Sequence, residues 1–161
     1  MKWSIIGCGN ISKRFCEDIS NVKDTTIIAI ASKNSEKLKL FGDKYKVPKE
    51  KRFHEYENIL DIDFDIAYIG LINSLHKKVI KILAAKSRNI IVEKPCFLNF
   101  KDFKDCEDLI KKKNILFVES MMNLHHPQTS RIFDILKSND IGQVLSFNFK
   151  FQIFIKHQRK W

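Results

Sequence analysis

Apolar positions along the first 120 residues follow two rhythms that take turns. Short, nearly unbroken apolar runs occur at Trp3 to Ile6, Thr26 to Ala31, Phe64 to Gly70, Asn89 to Val92 and Ile115 to Val118. Such β-branched runs read as strands buried on both faces of a parallel sheet. Between them lie stretches of helical periodicity at 10–20, 36–46, 74–86 and 101–112. Strands alternating with helices of this length predict an α/β fold with a doubly wound parallel sheet and right-handed crossovers. Lys51 to Phe53 is ambiguous between a loop and an abbreviated third strand, and Pro127 to Ser138 reads as a further helix. From Gln143 the pattern changes. Val144 to Lys156 alternates apolar and polar residues as a long half-exposed strand does, with Gly142 as the boundary before it.

The first strand runs straight into Gly7-Cys8-Gly9-Asn10-Ile11-Ser12 and then into a helix. Strand, glycine-paired turn and helix start, in that order, present free backbone N–H groups and the positive helix end to a pyrophosphate. Gly7 permits the tight turn, and Gly9 lets the backbone approach the phosphates. Ser12 stands where a third glycine is usual, and it still allows close packing of helix on strand. About 20 residues further on, where an NAD site presents an acid to the ribose, the chain has Ser32-Lys33-Asn34. A hydroxyl, an ammonium and an amide with no carboxylate favour a 2′-phosphate, so NADP is the expected cofactor, with NAD as the second choice. The same three residues also read as an ordinary loop, with Asn34 or Ser35 capping the next helix.

The ordered set formed by the glycine turn, Ile72-Asn73-Ser74-Leu75-His76, Glu93-Lys94-Pro95 at a strand end, Glu119 and His126-Pro127 resembles the glucose–fructose oxidoreductase / inositol dehydrogenase (Gfo/Idh/MocA) family. The resemblance extends over essentially the whole chain. It implies a Rossmann-like NAD(P)-binding domain over residues 1–120, a connecting helix region at 121–142, and at 143–161 the first strand of a second α+β domain that is otherwise missing. It implies an NAD(P)-dependent oxidoreductase that moves hydride between nicotinamide and a carbon bearing a hydroxyl on a sugar or polyol. Lys94 is then the catalytic residue, in contact with the substrate hydroxyl. Gly7, Gly9, Asn10, Ile11, Ser32, Lys33, Asn34, Asn73, His76, Glu93 and Lys94 are expected to line the cofactor. The alternative is a dinucleotide-binding or regulatory remnant that turns nothing over. Ile72 stands where the family commonly has proline, and Leu124 where it commonly has arginine.

The chemistry supports Lys94 without the family. Hydride leaves a carbinol carbon as its hydroxyl loses a proton, and a cation beside that oxygen stabilises the charge that develops. Pro95 would fix the backbone that follows, through a cis peptide of the kind proline allows. Each residue also has a plainer reading: Lys94 as a solvated loop lysine, His76 as a surface histidine in a first helical turn, Glu119 as a partner for a lysine.

The chain has 161 residues and a net charge of +10, with 29 Lys plus Arg against 19 Asp plus Glu. The cations are spread over the helices, and no zinc finger, RNA-recognition or helix-turn-helix signature accompanies them, which argues against a nucleic-acid partner. No apolar run is long enough to span a bilayer. Cys8, Cys16, Cys96 and Cys106 lack C-x-x-C spacing, as expected of free thiols in a reducing cytoplasm. A lone terminal strand bearing Phe147, Phe149, Phe151, Ile153 and Ile155 would leave open edges, so a homo-oligomer through that strand is the expected association.

Overall fold

The computed structural model describes residues 1–148 and 150, which divide into two compact units, Met1–Met121 and the segment from Met122 onward. The first contains six strands: β1 (Lys2–Ile6), β2 (Thr26–Ala31), β3 (Arg52–Phe53), β4 (Ile66–Ile69), β5 (Asn89–Glu93) and β6 (Phe117–Ser120). Four helices alternate with them: α1 (Asn10–Ile19), α2 (Ser35–Lys44), α3 (Asn73–Ala85) and α4 (Phe100–Lys112). All pairings are parallel, in the order β3-β2-β1-β4-β5-β6. The chain therefore builds outward from β1 on one side, returns, and builds outward on the other. Lys51 to Phe53 does supply the short third strand.

Successive residues of a strand face opposite ways, so one short apolar run feeds two cores. Ile5, Ile30 and Tyr68 pack with Cys16 and Ile19 of α1 and with Leu38 and Phe41 of α2. Their neighbours Ile6, Ala31 and Ile69 pack with Val79, Ile80 and Leu83 of α3 and with Cys106 of α4. The Phe15 ring of α1 stacks on Tyr68 at a centroid distance of 3.8 Å and meets Trp3 edge-on at 5.2 Å. Lys77 joins α3 to α4 by reaching Asp102 and Asp105, each at 2.7 Å.

Helix starts divide into two kinds. Asn34 accepts the Lys37 N–H at 2.8 Å at the head of α2, and Asn99 accepts the Asp102 N–H at 2.9 Å at the head of α4. The heads of α1 and α3 have no side-chain cap and no acid in the first turn. Their leading N–H groups are left for something else.

In the second unit, α5 (Pro127–Ser138) begins with proline, and His126 Nδ1 accepts the Gln128 N–H at 3.3 Å. Residues 143–148, where the long strand was expected to begin, form neither helix nor strand, and the remainder of that stretch, apart from Lys150, lies outside the described residues. Leu83 is fully buried at the centre of the α3 face. Leu83→Ala is expected to lower stability by about 2–5 kcal/mol, the cost of a core cavity, measured by urea unfolding. A loss below about 1 kcal/mol would contradict this packing.

Candidate functional site

Strand register brings the sequence-predicted residues to one edge. Ile6 lies level with Ala31 and Ile69, Ile69 with Val92, and Val92 with Glu119. The next row is therefore Ser32, Gly7, Gly70, Glu93 and Ser120, all at the carboxyl ends of the strands. Adjacent strands lie about 4.8 Å apart, so about 10 Å separates the Gly7 turn from Glu93 across the sheet. Between β1 and β4 the order of building reverses, which opens a crevice at this edge.

Gly7 has φ +99°, a conformation disfavoured for residues with a Cβ, and a Cβ there would fall 2.6 Å from the Gly70 carbonyl oxygen. Gly9 differs. A Cβ on it would meet protein only at 3.9 Å, so packing does not require glycine there. The space faces outward, beside the uncapped start of α1 at Asn10 and Ile11, where free N–H groups and the helix dipole favour an anion. Ser12, in place of the usual third glycine, is fully buried and lies 3.5 Å from the Gly70 carbonyl oxygen through its hydroxyl. The small side chain meets the packing need.

At the end of β2 the three residues expected to hold a 2′-phosphate are partly engaged within the protein. Asn34 spends its oxygen on the α2 cap, and the buried Ser32 Oγ accepts the Asn34 N–H at 3.3 Å. Lys33 pairs with Glu55 and lies 5.6 Å from the centre of the Tyr56 ring. The expectation that no carboxylate stands here needs correction: β3 runs beside β2, and the turn after it delivers Glu55 from 22 residues away in sequence. Both partners are about half exposed, so solvent screens the pair and it is weak. Next to the glycine turn is a surface hollow of about 360 Å³, lined by Cys8, Gly9, Asn10, Lys13, Lys37 and Phe41 among others. Lys13 and Lys37 are cations that sequence reasoning missed. The signal was present, because both lie one turn into helices whose heads meet at this edge.

Around β5 the buried polar groups are tied down. Tyr68 donates to Glu93 Oε1 at 2.7 Å in the interior, and burial pushes the tyrosine pKa up. Glu93 is thereby committed inside the protein and buried below the surface where it was expected to line a cofactor. His76 is fully buried, not at the surface: Nδ1 lies 3.0 Å from the Pro95 carbonyl oxygen and Nε2 lies 3.1 Å from that of Leu71. Glu119 lies within β6 and accepts the Cys96 N–H at 2.8 Å; no lysine pairs with it among the described residues. The Lys94–Pro95 peptide is cis. Lys94 is exposed, and it forms no ion pair among the described residues. Asn73 is exposed at the uncapped head of α3. Burial pushes the Cys8 thiol up to about 12, and burial with the neighbouring Glu119 raises Cys96 to about 11. Neither is a thiolate near neutral pH.

Residues 1–120 match the family described as an oxidoreductase family with an NAD-binding Rossmann fold, the Gfo/Idh/MocA family. The chain belongs to that family. A trans-1,2-dihydrobenzene-1,2-diol dehydrogenase of Xenopus tropicalis is 29% identical over 157 residues, 96% of this chain and 47% of that protein. A dTDP-3,4-didehydro-2,6-dideoxy-alpha-D-glucose 3-reductase of Saccharopolyspora spinosa is 25% identical over 151 residues, 92% of this chain and 45% of the reductase. The chain thus spans about half the length of these curated relatives. Among solved structures, scyllo-inositol dehydrogenase of Lactobacillus casei with NAD(H) and scyllo-inositol superposes with a TM-score of 0.82 at 18% identity, covering 88% of this chain and 42% of that one. A variant 3-ketoreductase of Actinomadura kijaniata with TDP-benzene and NADP gives 0.80 at 24%, covering 89% and 46%. These establish a Rossmann-like fold. The residues present fit a dinucleotide, because Gly9 leaves an outward space that no packing demands beside an uncapped helix start.

The two glycines separate fold from binding. Gly7→Ala is expected to destabilise the chain by about 2 kcal/mol or more, through a forbidden φ and a backbone clash. Gly9→Ala is expected to cost less than about 1 kcal/mol yet weaken NADPH binding about tenfold or more, because the Cβ enters the phosphate space. Thermal melts and fluorescence titration read the two effects. Equal destabilisation by both substitutions would contradict the assignment.

Proposed function

We propose that this chain binds NADP in preference to NAD and acts in hydride transfer between nicotinamide and a carbon bearing a hydroxyl on a sugar or polyol. The observation that carries the proposal is Lys94: an exposed ammonium with no ion-pair partner among the described residues, one step beyond the row that holds the Gly7 turn. The N–H groups at the head of α1 and the backbone at Gly9 hold the pyrophosphate, on a turn shaped by Gly7, whose own N–H donates to the Ala31 carbonyl at 2.8 Å. Lys37, Lys13 and Ser32 attract a 2′-phosphate, joined by Lys33 once it leaves Glu55. The dinucleotide, when bound, supplies the carbon that gives or receives hydride. Lys94 donates a hydrogen bond to the substrate oxygen, stabilises negative charge on it as the carbinol is oxidised, and lowers the cost of moving its proton. A lysine suits this work because its ammonium is a compact charge on a flexible stem.

Relatives and neighbours support the substrate class by what they act on or hold: a diol, a nucleotide-linked deoxysugar and an inositol. Fluorescence titration is expected to show tighter binding of NADPH than of NADH. Lys33→Asp should reverse that order. Glu55→Gln, which frees Lys33, should tighten NADPH and leave NADH unchanged. Equal affinities in the wild-type chain would overturn the NADP preference. Lys94→Ala should leave NADPH affinity within about threefold and reduce any sugar or polyol turnover of the wild-type chain by about 100-fold, since its cation acts on the substrate oxygen.

A further inference from the structure

The Pro95 carbonyl and the Cys96 N–H belong to one trans peptide unit, so they point in opposite directions. A side chain meets each end. His76 Nδ1, from α3, lies 3.0 Å from the Pro95 oxygen, and Glu119 Oε1, from β6, accepts the Cys96 N–H at 2.8 Å. His76 is fully buried and Glu119 partly so. A peptide plane held at one end still rocks about its flanking bonds. Held at both ends from separate elements, it is fixed, and with it the direction in which the chain leaves Lys94. His76 has two carbonyl oxygens within reach, those of Pro95 and Leu71. The ring donates to Pro95 whenever Nδ1 carries a proton, in the neutral Nδ1–H tautomer or in the imidazolium, which donates to both carbonyls, and not in the Nε2–H tautomer.

We propose that His76, with a proton on Nδ1, and Glu119 are positioning residues that clamp the Pro95–Cys96 peptide between them and so aim Lys94 at the substrate oxygen. The proposal rests on the reading of Lys94 given above. Neither residue touches substrate; both act through the backbone. A displacement of about 1 Å at a catalytic group costs on the order of 100-fold in rate, which is the scale of what the clamp protects.

Two measurements on the full chain test it. Nitrogen NMR of the histidine ring reads the His76 protonation pattern without any cofactor: a proton on Nδ1 is expected, alone or with one on Nε2, and a ring protonated on Nε2 only overturns the clamp. Reductive methylation with isotope-labelled formaldehyde then gives Lys94 its own methyl line, assigned by its absence in Lys94→Arg, and the shift of that line on saturation with NADPH reports the aim of the side chain. His76→Asn puts an amide donor where Nδ1 lies, and His76→Gln puts one where Nε2 lies. His76→Asn and Glu119→Gln are expected to keep most of the Lys94 response. His76→Gln and Glu119→Leu are expected to cut it about threefold or more, and the pair together no more than about twofold beyond the worse single, because both act on one plane.

A merely structural role would lower the melting temperature and leave the Lys94 response intact, and that result overturns the proposal. Equal loss in His76→Asn and His76→Gln, or fully additive losses, overturns it too. If the wild-type Lys94 line ignores saturating NADPH, the underlying reading of Lys94 fails, and the ring protonation pattern still decides for or against the clamp.

Discussion

Gly7 and Gly70 meet where β1 and β4 end, and the rest of the site depends on how close that meeting is. A Cβ on Gly7 would overlap the Gly70 carbonyl, and the space beside Gly70 is filled by the Ser12 hydroxyl from α1. These contacts set the angle at which α1 leaves the sheet. Because α1 begins at Asn10, directly after Gly9, its uncapped head lies at the edge where the order of strands reverses. A bulkier group at Gly70 or Ser12 would press on the packing of α1 against the sheet and shift the N–H groups to which an anion is drawn, while one at Gly7 would clash with the end of β4.

Most buried polar side chains at the carboxyl edge make their hydrogen bonds to the protein's own backbone or to each other. Tyr68 serves Glu93, Ser32 serves the backbone of Asn34, and Glu119 serves Cys96. Satisfying these groups internally avoids the penalty of leaving a buried donor or acceptor alone. It also makes the edge stiff. Lys94 differs from these groups because it is exposed and, like Lys13 and Lys37, has no ion pair among the described residues. The role proposed for Lys94 draws on this frame, since a cation held in place stabilises charge on a substrate oxygen without reorganisation when that charge appears.

The end of β2 follows a different logic. There the charges are exposed and exchangeable, as the solvent-screened pair of Lys33 with Glu55 illustrates. Glu55 holds Lys33 at the end of β2 without binding it firmly, and Lys37 and Lys13 add cationic character at the neighbouring hollow. The proposed discrimination between dinucleotides rests on a balance of surface charges, whereas the geometry of the glycine turn rests on sterics.

The sequence by itself determined the alternation of strands and helices, and with it the doubly wound parallel sheet, because an apolar run and a helical stripe are local patterns that each element carries within itself. It also determined the glycine turn, the place of Lys94 just past the end of β5 and the family, since those rest on residue types in fixed order. Element ends moved by one or two residues: α2 closes at Lys44, and Glu119 falls inside β6. What only the tertiary structure decided are relations between residues far apart in the chain. The pairing of Lys33 with Glu55 requires β3 to lie beside β2. The burial of His76 requires the loop after β5 to fold over α3, and the grip of Glu119 on Cys96 requires β6 to align with β5. No local pattern encodes these, because a histidine, a glutamate or a lysine in a polar loop looks the same in sequence whether it faces solvent or closes on a backbone group brought in by another strand.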